Sequence, residues 1–478
     1  MDPAAGASDD DVRERLLDAM AVLHEVVAAP ELLAELRPSE KADFVNAAGD
    51  VFAPDPEIRR RRTKLLQQRR RSERVRRDEE TLAGTGIRTL RSRPVFTTPD
   101  VYPPCAVDPN VVDPAVVIDD PATSTPRTTI EAQHCYICKV RYREIHHFYD
   151  QLCPDCAGLN YAKRGELADM TGMTVLLTGG RVKIGYQAGI KLLRSGAELV
   201  VVTRFPRDAA ERYAAEADFG EWGDRLEVFG LDLRHTPSVE AFCAHLAATR
   251  DRLDAIVNNA CQTVRRPPAF YEHMMERERA ALGSLPSDVL RLVGSYEDLR
   301  GAADAVGSGS DDLTRIVESA ELAGLTRSAE LSQAVLLGDD RSASGSLFPD
   351  GRLDHDLQQV DLRTQNSWRL RLHEVSTVEL LETQLVNAVA PFVLNARLKP
   401  LLEATPGDHK HIVNVSAVEG QFYRLRKTTR HPHTNMAKAA LNMMTRTSAT
   451  DYHDAGINMN SVDTGWVSDE DPVEIARA

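Results

Sequence analysis

The stretch from Thr174 to Gly185 limits the fold more than any other part of this 478-residue chain. Thr174 to Leu177 is an apolar run too short for a helix. It is followed by Thr178-Gly179-Gly180-Arg181-Val182-Lys183-Ile184-Gly185, and then by a segment whose Ile190, Leu192 and Leu193 recur at helical spacing. Strand, glycine turn and helix in that order make an anion site. Glycine lets the backbone approach a pyrophosphate, and the helix start offers unpaired N–H groups at the positive end of its dipole. A second strand, Leu199 to Val202, ends in Thr203-Arg204 with no carboxylate. An acid there would hold the ribose hydroxyls of NAD. Arg204, with Lys183 or Arg181 beside it, instead suits a 2′-phosphate and favours NADP.

Length and a 42% hydrophobic content are enough for a large core and for two or more units. The formal net charge of -14 argues against a whole-chain polyanion binder. No run of about eighteen apolar residues occurs, and acidic residues stand where a secretory signal would place positive charge. The expectation is a cytoplasmic protein without a membrane span. Residues 1–92 read as a helical, arginine-rich region. Val12, Leu16, Met20, Leu23 and Val27 recur at helical spacing until Pro30 and Pro38 interrupt, and the basic run from Arg59 to Arg77 reads as a solvated helix. Nucleic acid is not the expected partner, because no aromatic residues interleave with those arginines to stack on bases. Residues 93–130 form a proline-rich linker that should run extended.

Four of the seven cysteines form two CxxC pairs, Cys135/Cys138 and Cys153/Cys156, within residues 131–165. Two such turns can converge on one ion, and tetrahedral zinc takes four thiolates with no position left open, so a structural zinc module is expected. A pair of redox motifs is the weaker alternative, since neither pair is expected to open a helix after a strand. Cys105, Cys243 and Cys261 are read as free thiols in a reducing compartment. Arg141, Arg143, His146, His147 and Phe148, in and after the spacer's start, offer a basic and aromatic patch to a protein partner.

From Met173 to Val467 the chain resembles the short-chain dehydrogenase/reductase superfamily, and the resemblance rests on five motifs in order. Thr178 to Gly185 resembles that family's TGxxxGxG, with Lys183 in place of the middle glycine. Asp232 in Gly230-Leu231-Asp232-Leu233-Arg234 matches the acid placed against the adenine amino group. Asn258-Asn259-Ala260-Cys261 resembles NNAG after the strand Leu253 to Val257. Asn387 stands where the family keeps a helix asparagine, and Ser416, after the strand Ile412 to Val415, precedes Lys438 on the active-site helix. The resemblance implies an α/β fold with a doubly wound parallel sheet of Rossmann type over residues 170–478. It implies carbonyl/alcohol hydride transfer with NADP, or NAD, on a small molecule. Cofactor contacts are implied for Thr178, Gly179, Arg181, Ile184 and Gly185 in the turn. Arg204, Asp232, Leu233, Asn259, Ala260, Lys438 and Gly465 follow along the remaining strand ends. A homodimer through the helices of Asn387 and Lys438 is also implied.

The pattern departs from the family at the acid. The family's tyrosine lies four residues before the lysine, and here that position is Thr434, whose hydroxyl is far too weak an acid to replace it. The segment between Ser416 and Lys438 contains Tyr423, His431 and His433 as candidates, of which Tyr423 is expected to give the proton, with His433 behind it. Ser416 would bind the substrate oxygen, Lys438 the ribose, and Asn387 a relay water. The rival expectation is a sensor or scaffold that binds NADP(H) without turnover and engages a protein through the zinc module and the arginine-rich segment. Residues 265–375 form an insertion, expected to pack as a helical lid near the cofactor, with Gly/Ser-rich breaks at 307–310 and 342–346.

Overall fold

The computed structural model describes residues 9–52, 56–91, 127–307, 322–342, 346–354, 356–423, 427–465, 470 and 472. Residues 93–126 of the proline-rich linker, the two Gly/Ser-rich breaks in most of their length, Cys105 and residues 466–467 lie outside the described residues, whereas residues 127–130 of the linker begin a strand, Arg127–His134. The chain divides into two units, Met1–Ala83 with Thr128–Gln133, and Gly84–Arg127 with His134–Ala478.

The first unit contains helices α1 (Asp9–Ala28), α2 (Pro38–Phe52) and α3 (Pro56–Ala83). The apolar residues of α1 remain exposed, and so do the described arginines of α3, consistent with a solvated basic helix. Asp78 near the end of α3 is buried, and its carboxylate accepts the backbone N–H groups of Ile130 and Glu131 at 2.6 and 3.1 Å.

The second unit begins with α4 (Gly86–Arg91) and carries the cysteine pairs and α5 (Pro154–Arg164). It is built around six parallel strands: β1 (Thr174–Thr178), β2 (Glu198–Thr203), β3 (Leu226–Gly230), β4 (Ala255–Asn258), β5 (Lys410–Ser416) and β6 (Ile457–Asp463). Their order across the sheet is β3-β2-β1-β4-β5-β6. Parallel strands need helical crossovers on both faces, so their side chains are buried above and below and read as continuous apolar runs. Val175, Leu176, Leu177, Val200, Val201 and Val228 form that core. The crossovers are α6 (Lys183–Arg194), α7 (Pro206–Ala214), α8 (Thr236–Thr249), a long segment after β4, and α13, defined below.

The segment between β4 and β5 holds the insertion. Its described residues supply α9 (Pro268–Arg279) and α10 (Ser287–Gly307), then short helical stretches at Ala323–Thr326 and Gly338–Ser342, 3-10 turns and irregular chain. Val289, Leu292, Val293 and Tyr296 of α10 join the core beside β3. Gly230 is required there, because a Cβ on it would lie 2.5 Å from the Tyr296 ring. A helix over the outermost strand covers backbone groups that would otherwise template another chain. The segment ends in α11 (Thr377–Gln384), a π-helical turn (Leu385–Val389) and α12 (Ala390–Ala404), and α13 (Pro432–Asp454) connects β5 to β6. Among the described residues no helix is long and apolar enough to cross a membrane.

The strand order reverses between β1 and β4, so the loops leaving their carboxyl ends diverge and open a crevice. A cavity of about 840 Å³ lies there and is lined from the ends of β1, β2, β4, β5 and β6.

Candidate active site

Past Thr178 the chain reverses through Gly179 at φ +70° and enters α6 at Lys183, whose φ is +54°. Lysine thus adopts the left-handed backbone that glycine normally supplies in such a turn. The turn is pressed against the loop after β4. A Cβ at Gly179 would lie 2.8 Å from Ala260 Cα, and one at Gly185 would lie 2.1 Å from the Gly179 carbonyl oxygen. Asn259 braces it by donating from Nδ2 to the carbonyls of Thr178 and Gly179, both at 3.1 Å. Gly179, Ile184, Gly185, Asn259 and Ala260 line the cavity as expected. Thr178 does not. Its hydroxyl is turned inward and accepts the N–H groups of Asn259 and Ala260, each at 3.0 Å, so it holds two loops together instead of facing a ligand.

At the end of β2 the wall of the cavity contains Arg181, Arg204, Arg234 and Arg266. Arg181 donates to Asp208 at 2.7 Å and is buried, so its charge is already matched and the expected anion role passes from it. Arg234 chelates Asp232 and donates to Glu382 at 2.8 Å, while Arg266 pairs with Asp361. Asp232 and Leu233 line the cavity, but the Asp232 carboxylate is engaged by Arg234 and held below the usual carboxylate range, with burial opposing and Arg234 prevailing. Among the described residues Arg204 is the one arginine of this wall without a carboxylate within ion-pairing distance. Lys183 lies 3.8 Å from Glu470.

At the other end Ser416 closes β5 and Lys438 stands on α13. Both line the cavity. Lys438 Nζ donates to the Val415 carbonyl at 2.7 Å, and Ser416 Oγ to the Lys438 carbonyl at 3.4 Å. Register pairs Ser416 with Asp463 across β5 and β6, and the chain leaves β6 through Thr464 and Gly465, the latter at φ +87° and in the cavity wall. Asn387 is fully buried in the π-helical turn. Its side chain accepts the Gln262 N–H at 2.7 Å and donates to the Gln262 carbonyl at 3.0 Å, so it clamps the loop after β4 and has no face on the cavity to hold a water.

The structure does not bring Tyr423 to the cavity. It is 94% exposed and outside the cavity wall, because the loop after Ser416 carries it into solvent. His433 is also turned away. At about 100° per residue it sits roughly 140° around the helix from Lys438, where it meets Glu379 of α11 at 3.6 Å. Thr434 does line the cavity, and its hydroxyl is buried without a hydrogen-bond partner among the described residues. Beside it is His431, the third candidate of the segment between Ser416 and Lys438, at the N-cap position that precedes α13. His431 is buried in the cavity wall at φ 42°, with its ring stacked on Trp368 of the insertion at 4.0 Å and 3° between planes.

The four cysteines come together within the same unit. Each offers a sulfur within 4.8 Å of the others, and Cys138 and Cys153 are 3.6 Å apart. Tetrahedral thiolates around zinc stand about 3.8 Å from one another, so the donor set fits that ion. The second pair opens a helix, contrary to expectation: Cys153 is the N-cap of α5 and Cys156 lies in its first turn, where the helix dipole favours thiolate. Burial is opposed at Cys135 by the N–H groups of Cys153, Cys138 and Ile137, which draw its thiol down to about 6. At Cys156 burial and the neighbouring thiols push it up to about 12.

Residues 173–279 match the short chain dehydrogenase family, and residues 357–476 match the enoyl-(acyl carrier protein) reductase family of short-chain type. The interval between the two matches falls in the insertion. An uncharacterised mimivirus protein, R665 of Acanthamoeba polyphaga mimivirus, is 27% identical over 355 residues, covering 72% of this chain and 66% of that protein. Mouse retinol dehydrogenase 14 is 36% identical over 106 residues, which cover 20% of this chain and 31% of that enzyme. The chain thus spans just under two thirds of the mimivirus relative and under a third of the dehydrogenase. A solved metagenomic short-chain oxidoreductase in complex with NADP is 16% identical, with 65% of this chain and 90% of that one covered at a TM-score of 0.37.

Proposed function

Because the chain belongs to the short-chain dehydrogenase/reductase superfamily, we propose that it is an NADP-dependent oxidoreductase interconverting a carbonyl and an alcohol on a small molecule. One observation carries the reading. A cavity runs from a glycine turn and the guanidinium of Arg204, which has no carboxylate within ion-pairing distance among the described residues, to Ser416 and Lys438. Its volume of about 840 Å³ lies within the range of cofactor sites. The backbone of the Gly179–Gly185 turn and the start of α6 face the pyrophosphate, and Arg204 holds the 2′-phosphate. NADPH, when bound, supplies the hydride. Lys438 holds the ribose hydroxyls, Ser416 donates to the substrate carbonyl oxygen, and His431 delivers the proton to that oxygen as the carbonyl carbon is reduced. The four cysteines hold zinc as a structural ion with no open position for substrate.

A second reading keeps the pocket and drops the chemistry: a sensor or scaffold that binds NADP(H) and engages a protein partner. Thr434 at the tyrosine position favours it. Calorimetry with NADPH and NADH, followed by NADPH oxidation over a panel of aldehydes and ketones, separates the two. The enzyme reading expects NADPH to bind more tightly than NADH, with turnover that Lys438→Met abolishes. Tight NADPH binding with every carbonyl left unreduced would replace the enzyme by the sensor. No uptake of either nucleotide by zinc-replete protein would remove both.

A further inference from the structure

Two contacts tie the cysteine module to the cavity. Tyr136, between Cys135 and Cys138, donates its hydroxyl to Asp463 Oδ2 at 3.1 Å. Its ring is also the nearest neighbour of Gly465, 3.8 Å from where a Cβ would stand. Asp463 is the register partner of Ser416, and Asp463, Thr464 and Gly465 all line the cavity. The second contact is Ile87 of α4, which lines the same cavity. That helix is fastened to the spacer between the cysteine pairs. Gly86 and Ile87 donate their N–H groups to the carbonyls of His147 and Phe148 at 2.9 Å each, and Arg88 pairs with Asp150 at 2.7 Å.

Besides the sulfurs, the loop bearing Tyr136 is held by backbone bonds within the module. The Cys135 N–H to the Val140 carbonyl and the Lys139 N–H to the Cys135 carbonyl close the turn, and the Tyr136 N–H reaches the Gln151 carbonyl, just before the second cysteine pair, at 2.9 Å. Ile137 and Val140, its apolar residues, are exposed and contribute no core. A segment of this kind takes its shape from the ion.

We propose that the four-cysteine centre, when it holds zinc, is a structural member of the nucleotide pocket, with Tyr136 as the positioning residue that fixes Asp463 beside Ser416. Zinc holds Cys135 and Cys138 in one turn. That turn presents the Tyr136 hydroxyl to Asp463, and Asp463 sets the path of the chain leaving β6 along the cavity wall. The inference rests on the reading of the cavity as an NADP(H) site. It adds that occupancy at the cysteines is felt there.

The test uses the full chain and NADPH as probe, with zinc content measured in each sample and fold monitored by circular dichroism. Tyr136→Phe removes only the hydroxyl and is expected to retain zinc while raising the Kd for NADPH about five-fold, the loss of one hydrogen bond. Ile137→Ala, on the same loop but exposed, is expected to leave the Kd unchanged. Stripping zinc with a chelator is expected to raise the Kd at least as far as Tyr136→Phe does, with zinc chloride restoring it. Wild-type protein that binds no NADPH would remove the nucleotide reading itself. Wild-type protein that binds NADPH, together with a Tyr136→Phe variant of equal affinity, would overturn the coupling alone. Equal weakening by Ile137→Ala would also overturn it, since the effect would then belong to the loop and not to the hydroxyl.

Discussion

Arg204 donates from Nη2 to the hydroxyl of Tyr271, 2.8 Å away, and its guanidinium lies 4.8 Å from the centre of the same ring. The arginine comes from the end of β2 and the tyrosine from the insertion, 67 residues later. The aromatic face holds the guanidinium in place without neutralising it, whereas a carboxylate partner would cancel its charge. The Tyr271 hydroxyl is made more acidic than usual: burial opposes this, and Arg204, Arg234 and Arg266 outweigh it.

Arg204→Ala is therefore expected to reduce the preference for NADP over NAD by about 10- to 100-fold, the range of a hydrogen bond to a charged group. Tyr271→Phe should reduce it by only about two- to five-fold, because the ring remains and only the hydroxyl goes. Calorimetry with the two oxidised nucleotides measures both. An unchanged ratio in Arg204→Ala would assign the 2′-phosphate elsewhere.

His431 lines the same cavity as Lys438, with its ring against Trp368. Imidazole is the side chain that gains and loses a proton near neutrality, and a positioned acid contributes about 10²- to 10⁴-fold. His431→Gln should lower kcat for carbonyl reduction by about 100-fold or more. NADPH affinity should change little. A variant that keeps the rate would exclude His431 as the acid.

The scaffold was legible and the allocation of side chains was not. Parallel strands leave continuous apolar runs, and a turn that must admit a pyrophosphate leaves glycines, so β1, β2 and the turn between them follow from the residues at 174–203. Thr178, Arg181 and Asn387 sit in the right local motifs. Their hydrogen-bonding capacity, however, is taken by Asn259, Asp208 and Gln262, partners 81, 27 and 125 residues away, and no local pattern announces such a pairing. The insertion could be seen as an excess of chain. That it would deliver Trp368 against His431 and Tyr271 against Arg204 depends on how it folds back over the strand ends. His433 was a matter of helical phase alone, since five residues from Lys438 is the wrong side of α13.

Lys183 carries a left-handed backbone at φ +54°. A side chain in that region costs about 1–2 kcal/mol, and glycine recovers it at a loss of about 0.5–1 kcal/mol through its freer unfolded chain. The contact with Glu470 at 3.8 Å is a long, weak pair. Lys183→Gly should therefore raise stability by up to about 1 kcal/mol, read from the midpoint of urea unfolding followed by tryptophan fluorescence. A fall in the midpoint would mean that Lys183 stabilises the turn through its side chain.

Glu278 at the end of α9 is buried, and its carboxyl group accepts the N–H groups of Arg207 and Asp208 at the start of α7, the shortest at 2.9 Å. Burial pushes its pKa up to about 8, with the two N–H groups and Arg207 opposing. The folded state thus binds this proton more tightly than the unfolded chain does. Its stabilising contribution is complete below pH ~4.3, the ordinary glutamate value, and is lost as pH rises through about 8. Glutamine keeps an acceptor oxygen for the N–H groups and carries no charge at any pH. The stability of Glu278→Gln relative to the parent should therefore grow from pH 5 to pH 8 by on the order of 3–4 kcal/mol and level off above pH 9. Histidines and thiols titrate equally in both proteins and cancel in the difference. Parallel urea titrations at pH 5, 6.5, 8 and 9 give that difference directly. A flat one would mean that the N–H groups and Arg207 keep the carboxylate charged in the fold.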